Sequence, residues 1–450
     1  MATTYLSKTQ VTGTSTRKMT ISAWVKIADP AVAYAAGAIW SMGSDSSNFI
    51  ELQFNDANRL ELRAKNSGSY VLRKATAALF KDTSAWYHIV VGVDSDQVSG
   101  PDRNKIYING VQYAGTWDTD TDATINTDFK MNSSSEDARC GRDFMSGASD
   151  YFDGEMAHVH YIDGTQYAAS DFGETDTTSG IWVAKTSPSV TYGNNGGFYK
   201  FASGASGADS SGNGNTMAVS GTLTNLKDNP DNNFCALNPL DNYYASITYT
   251  NGNTTATSST PYGYSRATIG LATGKWYWEV KATTIPAPDY ITGIASTMST
   301  SATVWSGQNA GSYGYNATDG KIYNSASGSA YGNTYSAGNI IGVYLDLDNS
   351  KLYFAINGTL QNSGTGHSIT AVGSTDDGIY TPTAGAWTGT TGTVADFNFG
   401  NGYFGTTAVS SAVADAGGIG AFEYDPSAGT FDGSSKDFRA ICTNNLATYG

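Results

Sequence analysis

The side chains of this sequence that could do chemistry are a few carboxylates, two closely spaced imidazoles and many aromatic rings. Asp118, Asp120 and Asp122 alternate in Asp118-Thr119-Asp120-Thr121-Asp122, a run whose hard oxygens could surround Ca2+ if it forms a loop. As an EF-hand it fails, because Ala123 stands at the position of the turn Gly and Phe129 at that of the closing Glu. A solvated acidic loop is the competing reading, and Ca2+ is the only cofactor the sequence suggests. His158 and His160 fall on one face of a strand at a spacing that can bind metal, yet no Cys or carboxylate at a matching interval completes the set. Glycoside hydrolysis needs two carboxylates facing one cleft. The nearest approach, Glu174-Thr175-Asp176, lacks a second Glu and sits among Gly and Thr. With no acid–base pair to name, the chain reads as non-enzymatic.

The aromatic side chains offer binding in place of catalysis. Trp305, Tyr313, Tyr315, Tyr331 and Tyr335 lie among Gly, Ser and Asn, the composition of loops, where flat rings can stack on sugar faces or anchor a protein partner. Ordinary packing of a Tyr-rich chain is the alternative. Near the C-terminus Phe438, Ile441 and Leu446 follow a run of small residues from Ala408 to Gly420, so they are expected to dock on a surface. That surface is either the chain's own sandwich or a neighbouring subunit.

Short strands must position these groups. Met19, Ile21, Ala23 and Val25 alternate with polar or amphipathic residues, as one buried face requires. Further strands are expected at Phe49–Phe54, Arg59–Ala64, Trp86–Val93 and Lys105–Ile108, the last running into the hairpin dipeptide Asn109-Gly110. Ile340–Leu345 and Leu352–Ile356 flank Asp348-Asn349-Ser350, and Asn357-Gly358 closes the pair, so this stretch reads as strand, turn, strand, turn. With 52 Gly and 29 Tyr in 450 residues, and no long amphipathic pattern, the fold class is all-β.

Charge and cysteine usage exclude several functions. The formal charge of −15 repels a phosphate backbone, so nucleic acid is not expected as a partner. No run reaches transmembrane length, the first eight residues lack the apolar core of a signal peptide, and membrane insertion is not expected. Cys140, Cys235 and Cys442 are odd in number and far apart, which leaves no disulfide framework.

Two stretches carry family resemblances. Gly274-Lys275-Trp276-Tyr277-Trp278-Glu279-Val280, together with the hairpin from Gly338 to Gly358, resembles the core of a SPRY domain; Asn339 stands where that family usually has Asp. The segments MTISAWVK, WYHIVVGVD, NKIYINGV and YFDGEMAHVHYIDG, within roughly the first 165 residues, resemble the laminin-G, concanavalin A-like family. The resemblances imply two antiparallel β-sandwiches in series, a jelly roll and then a bent sandwich, both binding folds. The implied layout is a sandwich over 1–203, a linker over 204–241, a second sandwich over 242–405 and a docking segment over 406–450, whose removal from Gly433 onward would leave both sandwiches folded.

The phrase DNPDNNFCALNPLD and the ending FRAICTNNL resemble a recurring module of tailed, marine-type bacteriophages. This implies a virion protein assembled in the host cytoplasm, a homo-oligomeric tail fibre, spike or capsid decoration. Its partners would be other virion proteins and a host-surface glycan or protein. A purely structural cement or connector is the alternative, and a capsule-degrading enzyme a more distant one.

Overall fold

The computed structural model describes residues 4–28, 37–134, 136–144, 151–241, 247–259, 262, 264–286, 290–296, 304–387, 392–433 and 437–450. The chain divides into two compact units, Met1–Asn225 with Asn229–Asp231, and Leu226–Asp228 with Asn232–Gly450. No helix among the described residues is long and apolar enough to cross a membrane.

In the first unit an eight-stranded sheet runs in spatial order Trp117–Thr121, Ser69–Thr76, Leu60–Asn66, Asn48–Phe54, Ala38–Asp45, Asp137–Cys140, Tyr5–Thr9, Ala218–Ser220. It shares one core with a six-stranded sheet ordered Gly197–Tyr199, Gly154–Asp163, Lys18–Ile27, Tyr87–Asp94, Asn104–Ile108, Val111–Gln112. The alternation read in the sequence sets the inward face. Met19, Ile21, Ala23 and Val25 from one sheet meet Ile50, Leu52, Phe54, Leu60 and Leu62 from the other. Asn109 and Gly110 both take positive φ, 48° and 84°, the backbone of the two-residue turn expected there. A tight turn around Asp209 is built on its carboxylate, which accepts the N–H groups of Phe198, Ser211 and Asn215.

The second unit packs a nine-stranded sheet against a six-stranded one. The larger runs Ile247–Thr250, Thr255–Ser258, Thr393–Asn398, Lys275–Thr284, Ile340–Asp346, Lys351–Ile356, Thr359–Leu360, with His367–Ser368 and Arg439–Ala440 pairing beside the path. The smaller runs Tyr264–Arg266, Thr381–Ala386, Tyr290–Ala295, Ser312–Asn316, Lys321–Asn324, Ser327–Ala330. Trp276, Trp278 and Val280 point into the core between the sheets, as their shared parity predicts. The hairpin forms as read: Val343 pairs with Phe354, Ile341 with Ile356, and Asn357 and Gly358 turn at φ 47° and 76°.

The opposite face of the nine-stranded sheet is also buried. Tyr277, Tyr344, Tyr353 and Ala355 form a second apolar cluster with Phe422, Phe431, Phe438, Ala440 and Cys442 from the C-terminal segment, and with Phe234. Each fully buried Phe contributes about 2–3 kcal/mol, so this layer is a substantial part of the unit's core. The expected linker therefore differs from what forms. Residues 204–225 fall in the first unit and 232–241 in the second. The DNPDNNFCALNPLD and FRAICTNNL phrases pair with each other: Phe234 bridges Cys442, Cys235 N–H donates to Ile441 O at 2.9 Å, and Thr443 N–H donates to Asn233 O at 2.9 Å.

Candidate functional site

The acidic run at 118–122 forms no open cation loop. Trp117–Thr121 is an edge strand on Ser69–Thr76, and cations already neutralise its carboxylates. Lys74 Nζ donates to Asp120 and, at 2.9 Å, to Asp122, while Arg59 lies 3.4 Å from Asp118. Lys74 also sits over the Trp117 ring at 4.6 Å, so a Ca2+ ion would have to expel an ammonium held from two sides.

Carboxylates do share one face elsewhere, where sequence spacing did not reveal them. Across the eight-stranded sheet the register aligns Ser7, Arg139, Ser41, Glu51, Arg63 and Arg73 in one row on the face turned from the core. Arg63 binds Glu51 and Gln53, Arg73 Nε donates to Glu61 at 2.7 Å, and Gln53 Nε2 donates to Glu61 at 2.8 Å. Burial pushes the Glu51 carboxyl up, and Arg63 opposes that rise. Glu51 is 0% exposed and Glu61 1%, so neither carboxylate is open to a substrate. Glu174 lies on a short hairpin, and Asp176 spends Oδ1 on the N–H groups of Thr178 and Ser179.

His158 and His160 do come together, with His88 added. A bulge puts His158 at φ 47°, and both side chains reach the Phe198 ring, at 5.9 and 3.9 Å. His160 Nδ1 bonds the Tyr192 hydroxyl at 3.0 Å. His88 stacks on Trp24, accepts the indole N–H of Trp182 at Nδ1 (2.9 Å) and lies 2.9 Å from Ser22 Oγ through Nε2. An indole N–H only donates, so the single proton of neutral His88 is on Nε2 and is directed at Ser22. That is the reverse of a base activating a hydroxyl. Burial lowers all three imidazoles, His88 to about 3.

Four of the five aromatic residues expected in loops, Tyr313, Tyr315, Tyr331 and Tyr335, are in the core instead. Tyr313 and Tyr315 belong to the strand Ser312–Asn316 and point between the sheets, where Tyr315 stacks on Phe354 at 4.9 Å. Tyr331 and Tyr335 pack on the same cluster, and the Tyr335 hydroxyl donates to Tyr315 O at 2.8 Å. The Gly, Ser and Asn around them are strand and turn residues that leave room for large rings. Trp305 is 8% exposed but lies on the outer side of the six-stranded sheet. Phe438, Ile441 and Leu446 are likewise taken up within the second unit, which is the first of the two dockings expected for them.

An aromatic patch survives around Trp305. The segment carrying it crosses the outer face of the six-stranded sheet, where Ser306 Oγ meets Thr383 Oγ1 at 2.9 Å and Ser306 O lies over Gly314. There Trp305, Tyr323 and Trp387 meet edge to face or tilted, with centroids 5.2–5.6 Å apart. Tyr323 and Trp387 are half-buried. The Tyr323 hydroxyl donates to Asp319 at 2.8 Å, and burial with that bond pushes it up to about 12. Such a patch offers flat π faces beside a polar rim, which suits stacking and not proton transfer. The sequence signal that could have found it is parity: Tyr323 alternates with core Ile322, and Trp387 continues the outward positions Thr381, Thr383 and Gly385.

Comparison with known proteins agrees with this architecture. The model of the Concanavalin A-like lectin/glucanases superfamily matches residues 2–166, and the SPRY domain model matches residues 275–400. No curated protein matches the chain. Similar solved structures include the SPRY domain of human HERC1 at 16% identity, covering 36% of this chain and 96% of that one, with a TM-score of 0.30. Stonustoxin is similar at 17% identity over 36% of this chain and 27% of its own, TM-score 0.28. The TRIM65 PSpry domain is similar at 15% identity over 36% and 91%, TM-score 0.29. The chain thus carries a concanavalin A-like domain of the laminin-G type followed in series by a SPRY domain, two folds that typically serve as binding modules.

Proposed function

We propose that the chain is a non-catalytic virion surface protein of a tailed bacteriophage, a fibre, spike or capsid decoration. Its SPRY domain meets a host-surface glycan or protein through the Trp305–Tyr323–Trp387 patch. The observation that carries the binding surface is the half-buried pair Tyr323 and Trp387, backed by Trp305 on the outer face of a rigid sheet. A preformed aromatic platform binds with little ordering cost. The phage setting is supported by the likeness of the 228–241 and 438–446 phrases to a phage module. The non-catalytic reading is supported by the engagement of each candidate group: Glu51 and Glu61 with arginines, His88 with Trp182.

The test is attachment of the purified chain to host cells and to extracted host polysaccharide. Tyr323→Ala with Trp387→Ala is expected to weaken binding at least tenfold while both units keep their unfolding midpoints. Undiminished binding would move the ligand off this patch, and absence of the protein from purified particles would end the virion reading.

A further inference from the structure

Glu279 lies on the strand Lys275–Thr284, on the face turned from the inter-sheet core, and is 0% exposed. Its carboxyl group ties three elements together. Oε1 accepts the Tyr277 hydroxyl at 3.0 Å and the Tyr424 N–H at 2.8 Å. Oε2 accepts Asn398 Nδ2 at 3.0 Å and the Glu423 N–H at 2.9 Å. Two of these four donors are consecutive backbone amides of the C-terminal segment, so this side chain joins the segment to the sheet beside the aromatic cluster of Tyr277, Tyr344 and Phe422.

We propose that Glu279 is a proton-operated latch: the 421–424 stretch closes most tightly when this carboxyl is protonated, and loosens when it ionises, uncovering Tyr277, on which Phe422 packs. Three of the four donors are fixed amides. The Tyr277 hydroxyl can rotate, so a proton on Oε1 can be donated to Tyr277 Oη, and the strap amides keep their acceptors. The ionised form keeps all four bonds but places a full charge where water is excluded.

The charged and titratable groups on every side do not offset that charge with a bonded cation. On the same strand face lie Tyr277 and Lys281, and Lys281 pairs across the ladder with Asp396, which accepts from Thr255 and Thr283. The neighbouring strand contributes Tyr344 opposite Tyr277. The strap contributes Glu423, whose carboxylate holds Ser410, together with Tyr424 and Asp425. Burial raises the Glu279 pKa to about 7 against an ordinary 4.5, with the four donors opposing the rise. The closed state therefore binds a proton more tightly than the open one, and linkage gives the sign: closure is favoured below about pH 4.5–7 and weakens as pH rises through that window.

The test is hydrogen exchange of the Glu423 and Tyr424 amides in the full chain, corrected for intrinsic exchange, from pH 5 to 9. Protection should fall by up to roughly a hundredfold across the window and then level off. In Glu279→Gln it should lose its pH dependence. A direct NMR titration of the Glu279 carboxyl guards against a misfolded variant, with an expected midpoint near neutrality. A midpoint in the ordinary Glu range, or wild-type protection that does not change with pH, would overturn the latch.

Discussion

His88 shows how one side chain can look catalytic in a list of contacts and be structural in its hydrogen bonds. Its lone pair is committed to Trp182 and its proton to Ser22, so it titrates only when the first unit opens. In the folded state it is neutral down to about pH 3, whereas an unfolded His protonates near 6.5. The unfolded chain therefore binds more protons between these values, and stability is lost as pH falls through that window. The loss from His88 alone between pH 7 and 4 is expected to be roughly 3 kcal/mol, measured by urea unfolding. His88→Gln should flatten that profile. Lys74 decides the metal question in a similar way. Millimolar Ca2+ should leave the wild-type melting temperature unchanged, while Lys74→Ala, which strands Asp120 and Asp122 together, should make it rise with added Ca2+. A Ca2+-dependent shift in the wild type would restore the loop reading.

Strands explain both what was legible in the sequence and what was not. Period-two alternation placed Met19–Val25 correctly, because one face is uniformly apolar, and the Ile340–Ile356 hairpin was placed by two short apolar runs bounded by turn formers. The same logic missed the second layer of the SPRY unit, although Trp276-Tyr277-Trp278-Glu279-Val280 offers large or ionisable residues at both parities. A strand bulky on both faces has both faces covered. The loop aromatics failed for a related reason: the Gly and Ser between Tyr313, Tyr315 and Tyr331 read as loop by composition, yet they lie in or beside the short strands Ser312–Asn316, Lys321–Asn324 and Ser327–Ala330. The Ser7-to-Arg73 row could not be read from spacing, since it forms only once six strands are in register. Removing one member of that row should be costly. Arg63→Met leaves Glu51 buried without its cation, an expected loss of about 3–5 kcal/mol in urea unfolding, and adding Glu51→Leu should recover most of it. An equal loss in the double variant would mean that the pair matters for packing and not for charge.

At the scale of the molecule, the C-terminal segment is part of the second unit and not an arm reaching to a neighbour. Deleting residues 406–450 removes Phe422, Phe431 and Phe438 from Tyr277, Tyr344 and Tyr353. Calorimetry should then show the second unit's transition lost or lowered by more than ten degrees, with the first unit's unchanged. Retention of both transitions would return the segment to a dispensable role. Each unit is also closed by its own extremities: Tyr5–Ser7 pairs with Ala218–Ser220 in the first, and Phe234 meets Cys442 in the second. Chain enters and leaves each fold at one place, so either unit is a cassette that recombination can excise, duplicate or graft into a surface loop without rerouting its strands. The same closure sets an order on synthesis. Phe234 waits for residues 422–442 before its layer is complete, so a ribosome that stops short of them releases a second unit with an aromatic face bare, a product marked for removal by its own stickiness.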